Sequence, residues 1–198
     1  DDQAIYKWAG ADVDSFIALQ DQMINLPLIQ SHRIPMKVHQ LAMGIINRIK
    51  YRIDKTWKPK INEGTLQKHF DIESINMSQG DWLVLSRTRH MLNDIGESLY
   101  RKGLYYKNKY KRSNEQDLHK AAIAWENALK GQPLSTIHGA KGGEATNVVL
   151  LTDLTENTLK GYEKNPDDEN RLFYVGATRT KENLHIIEPK KHNKGYIL

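Results

Sequence analysis

The sequence predicts an α/β layered fold with a mostly parallel central sheet, and three observations carry that expectation. Compact apolar runs of buried-strand type recur, as at Trp82 to Ser86 and Val148 to Leu151. Other segments repeat their apolar residues at helical spacing, as Val38, Leu41, Ala42, Ile45, Ile46 and Ile49 do. The two kinds of segment alternate, which is the arrangement of strands joined by crossover helices.

From the N-terminus, Asp12 can cap a short helix carrying Val13, Phe16, Ile17 and Leu19. A strand is expected at Leu26 to Gln30, and Pro35 then stands where the next helix can start. Residues 51 to 80 show no sustained period, so they read as a long connection with a short element around Phe70 to Ile75. The strand at Trp82 to Ser86 leads into a helix bearing Met91, Leu92, Ile95 and Leu99, which Gly103 stops. Ser113 and Gln116 form a capping box for a helix with Leu118, Ala121, Ala122, Trp125 and Leu129, ended by Gly131. Strands are expected at Leu134 to Ile137, Val148 to Leu151 and Leu184 to Ile187.

Composition narrows the class of protein. A chain of 198 residues makes one or at most two domains and can bury a core. With no cysteine it has no disulfide, thiolate metal site or cysteine nucleophile. No apolar run is long enough to span a bilayer and no signal peptide is evident, so a soluble, cytoplasmic protein is expected. Lys and Arg number 29 against 24 Asp and Glu, a balance of +5 that favours polyanionic partners. The cations concentrate between Arg101 and Arg112, interleaved with tyrosines and free of acids. That pattern suits a phosphate backbone with stacked bases, and equally a strand end running into a solvated basic turn. The histidines are scattered without close ligand partners, so no metal site is expected.

Two C-terminal stretches carry the chemistry. Thr136-Ile137-His138-Gly139-Ala140-Lys141-Gly142-Gly143-Glu144 reads as a strand entering a small-residue loop. Glu169 to Glu182, containing Glu-Asn-Arg-Leu-Phe-Tyr-Val-Gly-Ala-Thr-Arg-Thr-Lys-Glu, reads as a helix presenting Arg171 and Arg179. Both suit phosphate chemistry. Here the chain resembles the UvrD/Rep-like DNA helicases of superfamily one, in their motifs five and six. Asp1-Asp2-Gln3-Ala4-Ile5-Tyr6-Lys7-Trp8-Ala9-Gly10-Ala11-Asp12 resembles motif three, and Ser31-His32-Arg33 resembles motif four, in the family's order.

The resemblance implies one domain over residues 1–198, the second RecA-like domain of the motor, with a mostly parallel sheet flanked by helices. It also implies a fragment lacking the N-terminal phosphate-loop domain and a large accessory insertion, for which only Lys107 to Gln132 offers room. No phosphate-loop motif occurs in the sequence, so ATP and Mg2+ are expected to be held mainly by the N-terminal RecA-like domain. By resemblance, Arg179 and Arg33 reach the γ-phosphate, as an always-charged, bidentate guanidinium can. Gln3 senses the same group, Glu144 accepts from the ribose hydroxyl, His32 stands where a tyrosine usually stacks on adenine, and Lys141 lies in the same loop. Trp8, Tyr6 and His138 lie on the single-stranded DNA path, while Arg171 braces the fold through an acid. Ala9, Gly143 and Ala145 depart from the family pattern.

The function implied is the C-terminal motor domain of an ATP-dependent DNA helicase that translocates on single-stranded DNA and unwinds duplex at junctions, in repair or replication. Two other readings stand beside it. One is an ATP-independent single-stranded nucleic-acid-binding module; the other is the helicase part of a helicase–nuclease in recombination and repair.

Overall fold

The computed structural model describes residues 1–24, 26, 28–104, 106–108 and 132–198. In chain order they form α1 (Val13–Ala18), α2 (Met36–Ile46), β1 (Thr65–His69), β2 (Trp82–Ser86), α3 (Met91–Arg101) and β3 (Tyr106–Asn108). Then come β4 (Gln132–Thr136), β5 (Ala145–Leu151), α4 (Glu156–Lys164), α5 (Pro166–Ala177) and β6 (Thr180–Ile187). The strands make one six-stranded sheet in the order β1-β6-β5-β2-β4-β3, and every pairing in it is parallel. Because strands in a parallel sheet need crossovers, the helices cover its faces and bury both. One face packs Leu85, Val148 and Leu150 with Val38, Ile45, Leu172 and Phe173 of α2 and α5. The other packs Val84, Val149 and Ile187 with Leu92, Ile95 and Leu99 of α3.

The central strands follow the apolar runs: β2 is buried along its whole length, as a strand covered on both sides must be. Asp12 accepts from Ser15 N at 3.0 Å and so caps α1. Gly103 ends α3 with φ of 67°, a left-handed residue that glycine adopts without strain.

Among the described residues of Leu26 to Gln30, the expected strand does not form. Only Gln30 makes a bridge, to Lys58, and Leu26 and Leu28 are 86% and 94% exposed. Sequence hydrophobicity marks residues that could be buried, but a strand also needs a neighbouring backbone. Conversely, β1 lies within the connection read as irregular. Its alternating Thr-Leu-Gln-Lys-His is polar because it is an edge strand bonded on one side only. A 3-10 turn at Ile72–Ser74 supplies the short element expected there. The helix expected between Ser113 and Gly131 lies outside the described residues, as do Tyr105 and residues 109–112 of the basic stretch and most of the Lys107 to Gln132 insertion region. Within the described part of that stretch, Arg101 pairs with Glu97 at 3.8 Å and Lys102 donates to the Glu73 carbonyl at 2.6 Å. No helix among the described residues is long and apolar enough to cross a membrane.

Candidate functional site

Parallel register places the first group of residues. Ala145 opens β5 opposite Thr180, which opens β6, and Ala145 N donates to the Arg179 carbonyl at 3.1 Å. Glu144 and Arg179, each one residue ahead of its strand, therefore arrive side by side at one edge of the sheet. Arg33 reaches the same edge from the loop before α2, where Ser31 Oγ accepts from the backbone N–H groups of Arg33 and Ile34 at 3.3 and 3.1 Å. Arg33 then donates to Glu144 at 3.1 Å, and Lys181 pairs with the other oxygen of the same carboxylate at 2.8 Å.

These contacts set the electrostatics. The bonds from Lys181 and then Arg33 hold the Glu144 carboxyl below its ordinary range. Burial, then the charge of Arg33, pushes the Arg179 guanidinium down, with Glu144 opposing. Arg33, Arg179 and Lys181 thus face a single carboxylate, an excess of positive charge that suits a polyanion. The buried Nε of Arg33 has no hydrogen-bond partner, leaving a donor for one. The donor set fits phosphate oxygens, and Glu144 fits a hydroxyl. Among the described residues no group of metal-ligating side chains is present.

Arg179 is not on the helix where the sequence reading placed it. The α5 helix ends at Ala177, and Arg179 sits in the turn to β6, its Nε donating to the Val175 carbonyl at 3.0 Å and its NH1 to Gly143 at 3.5 Å. The Val175 carbonyl is one that the helix end leaves without an intrahelical donor, and Arg179 is 4% exposed. Arg171 is on the helix, paired with Asp168 at 3.6 Å and donating to the Tyr51 carbonyl at 2.6 Å.

The second group lies at the far end of the loop that Glu144 closes. After β4, Gly139 N donates to Thr136 Oγ1 at 3.1 Å, Ala140 N to the Thr136 carbonyl at 3.0 Å, and Gly143 N to Ala140 at 2.8 Å. Gly142 takes φ of 89° between them. This winding presents His138 to Tyr6, whose hydroxyl donates to the His138 carbonyl at 2.8 Å. The rings of Tyr6, Trp8 and His138 stand 6.0 to 6.5 Å apart, and Lys141 Nζ lies 4.9 Å from the Tyr6 ring. Trp8 is 76% exposed. A tryptophan held at an open surface is available to a flat partner, which a core tryptophan is not.

Gln3 joins this arrangement through its backbone: its carbonyl accepts from Lys141 Nζ at 3.1 Å. Its place is secured by its neighbours. Asp1 accepts from Ile53 N at 2.8 Å and pairs with Lys55, while Asp2 pairs with Arg52 and Lys55 at 3.5 and 3.0 Å. His32 is exposed beside Arg33 and is not bonded to the Arg33, Glu144 and Lys181 cluster. Sequence reasoning missed Lys181, although its alternation with Arg179 at the start of β6 was readable.

The architecture is an α/β layered domain consistent with the RecA-like fold: one parallel sheet, helices on both faces, and charged loops at the strand ends. Residues 114–191 match the family model of the UvrD-like helicase C-terminal domain. The fold is similar to the C-terminal domain of a possible DNA helicase from Lactobacillus plantarun WCFS1, at TM-score 0.49 and 13% identity over 80% of this chain and 88% of that one. It is also similar to Arterivirus nonstructural protein 10 (helicase), at TM-score 0.44 and 16% identity over 87% of this chain and 28% of that one. The PRRSV helicase compares at TM-score 0.44 and 14% identity, over 87% of this chain and 25% of that one. No curated protein matches the chain.

Proposed function

We propose that this chain is the second RecA-like half of an ATP-dependent DNA helicase, supplying an arginine finger and part of a single-stranded DNA track. The observation that supports it best is the single loop from Ile137 to Glu144. At one end it holds an open aromatic group with Trp8, and at the other a carboxylate between two cations beside Arg179.

On this reading the nucleotide lies between the Arg33 and Arg179 edge and an N-terminal RecA-like half, which holds Mg2+ and most of the triphosphate. When bound, ATP supplies the phosphoanhydride whose hydrolysis drives the cycle. Arg179 and Arg33 direct guanidinium donors at phosphoryl oxygens, where preorganised positive charge favours the transition state. Glu144 accepts from a ribose hydroxyl, Gln3 lies next to the loop through Lys141, and His32 offers a ring for the base. Tyr6, Trp8 and His138 stack on bases irrespective of sequence, and Lys141 neutralises backbone charge. Closure of the two halves around the nucleotide would move the strand past these rings.

The test is a titration of this chain with a labelled oligodeoxythymidylate, followed by fluorescence anisotropy. Trp8→Ala should weaken binding by roughly tenfold, the loss of one stacked base. An unchanged titration removes Trp8 from the track.

A further inference from the structure

We propose that Lys181 is a positioning residue: it keeps the Glu144 carboxylate aimed at the nucleotide ribose once Arg33 has turned to phosphate. This inference rests on the reading of the Arg33, Glu144 and Arg179 edge as a nucleotide site, and it adds a residue which that reading does not use.

Two cations hold Glu144, and they hold different oxygens. Arg33 NH1 lies 3.1 Å from Oε2, and Lys181 Nζ lies 2.8 Å from Oε1. The two come from different elements. Lys181 is the second residue of β6, whose first residue, Thr180, is in register with Ala145, directly after Glu144. The sheet itself therefore fixes the Lys181 backbone relative to that of Glu144. The next residue of β6, Glu182, is bonded by Lys60 and Asn62 at 2.6 and 2.5 Å, so that acid is engaged elsewhere. Arg33 instead reaches Glu144 from the loop before α2, where Ser31 Oγ accepts from its backbone N–H.

The side chains of Arg33, Glu144 and Lys181 are 31%, 38% and 41% exposed. Ion pairs this open to water contribute little to folding, so stability does not account for a carboxylate held twice. A division of labour does. The buried Nε of Arg33 has no hydrogen-bond partner, so its guanidinium has donor capacity unspent. Such a fork is drawn more strongly to a phosphate than to a carboxylate already shared with Lys181. When Arg33 turns, Glu144 keeps one anchor, the ammonium rooted in β6. A carboxylate has lone pairs enough to accept from that ammonium and from a ribose hydroxyl together. Without Lys181 the Glu144 side chain is free to follow Arg33 or turn to water, and has to be ordered again at each binding event.

The experiment titrates this chain with ATP and with dideoxy-ATP, whose sugar lacks both hydroxyls, and follows NMR shifts up to millimolar nucleotide. The parent is expected to prefer ATP by roughly fivefold, the contribution of one partly exposed charged hydrogen bond. Lys181→Met should abolish that preference, and Lys181→Arg should restore it. A cation that merely attracted phosphate would, on removal, weaken both ligands alike and leave their ratio unchanged. Arg33→Ala should weaken both nucleotides yet keep the preference, because Lys181 still holds Glu144. If Lys181→Met does not fold, Lys181→Gln takes its place with the same expectation. A preference retained without Lys181, or lost equally without Arg33, overturns the inference and leaves the nucleotide edge standing. A parent that gives no ATP-dependent shifts, or does not tell the two ligands apart, rejects the reading of Glu144 as the ribose acceptor, and the inference falls with it.

Discussion

On the proposed function, Arg179 serves two demands. Its buried side chain bonds the end of α5 and the Gly143 carbonyl, so it helps build the turn that it occupies. That fixed geometry is what a phosphate-contacting guanidinium requires, since a preorganised donor loses little freedom when the anion arrives. In a protein joining this chain to the proposed nucleotide-binding half, Arg179→Ala should lower single-strand-stimulated ATP turnover by about 10³-fold or more, with DNA affinity retained. Turnover equal to the parent's would reject the role. Histidines provide a second test at this scale. Burial lowers His39, His138 and His185, and His185 is further lowered by His69, whose ring bonds it at 3.1 Å. Above the unfolded imidazole pKa of about 6.5 these rings are neutral in both states and cost nothing. As pH falls below it, the unfolded chain takes up protons that the folded rings resist, so stability declines. The urea midpoint should drop between about pH 7.5 and about pH 5.5, and His185→Phe should flatten that slope.

The edge strand β1 is the element that depends most on its surroundings. It pairs with β6 alone, from Thr65 opposite Asn183 to His69 opposite Ile187. The turn that launches it is anchored to the start of β6: Lys60 and Asn62 donate to Glu182 at 2.6 and 2.5 Å, and Gly64 N donates to Asn62 at 2.7 Å. Gly64 has φ of 66°, and a Cβ there would lie 2.6 Å from the Glu182 carbonyl oxygen and from Pro35. Gly64→Ala should therefore destabilise by more than about 1 kcal/mol, through left-handed strain together with a backbone clash. Hydrogen exchange should show the loss first in β1, and uniform protection would contradict it. None of this was readable beforehand, because Thr-Leu-Gln-Lys-His carries one apolar residue and polar edge strands have no hydrophobic signature. The α4 helix escaped for a similar reason: it buries no residue completely, and Leu159 and Tyr162 only lean on the core. By contrast, β2 and α3 were legible to within a residue, since burial on both faces and a single apolar stripe leave clear periods.

Across the molecule, the sheet separates two packed layers, and Phe173 lies deep in the larger one. Its ring stacks on Tyr196 at 4.0 Å with planes 7° apart, and it is fully buried. Tyr196 in turn donates to Asn170 at 2.7 Å, so the C-terminal segment is stapled to α5. Phe173→Ala should cost about 3–5 kcal/mol in denaturant unfolding, the range for removing a buried aromatic ring. A loss below about 1 kcal/mol would mean that the layer can collapse around the gap. Residue type and short-range period were sufficient to specify a parallel α/β layer structure, the loop from Thr136 to Glu144 and the identities of the groups suited to phosphate and bases, because these are written in consecutive residues. Long-range register settled the rest. It brought Arg33, Glu144, Lys181 and Arg179 to one edge, moved Arg179 off the helix into a buried turn, and set Arg87 against Glu169. It also left Leu26 and Leu28 exposed. Such outcomes follow from which backbone lies next to which, and pairing between distant segments leaves no trace in local periodicity.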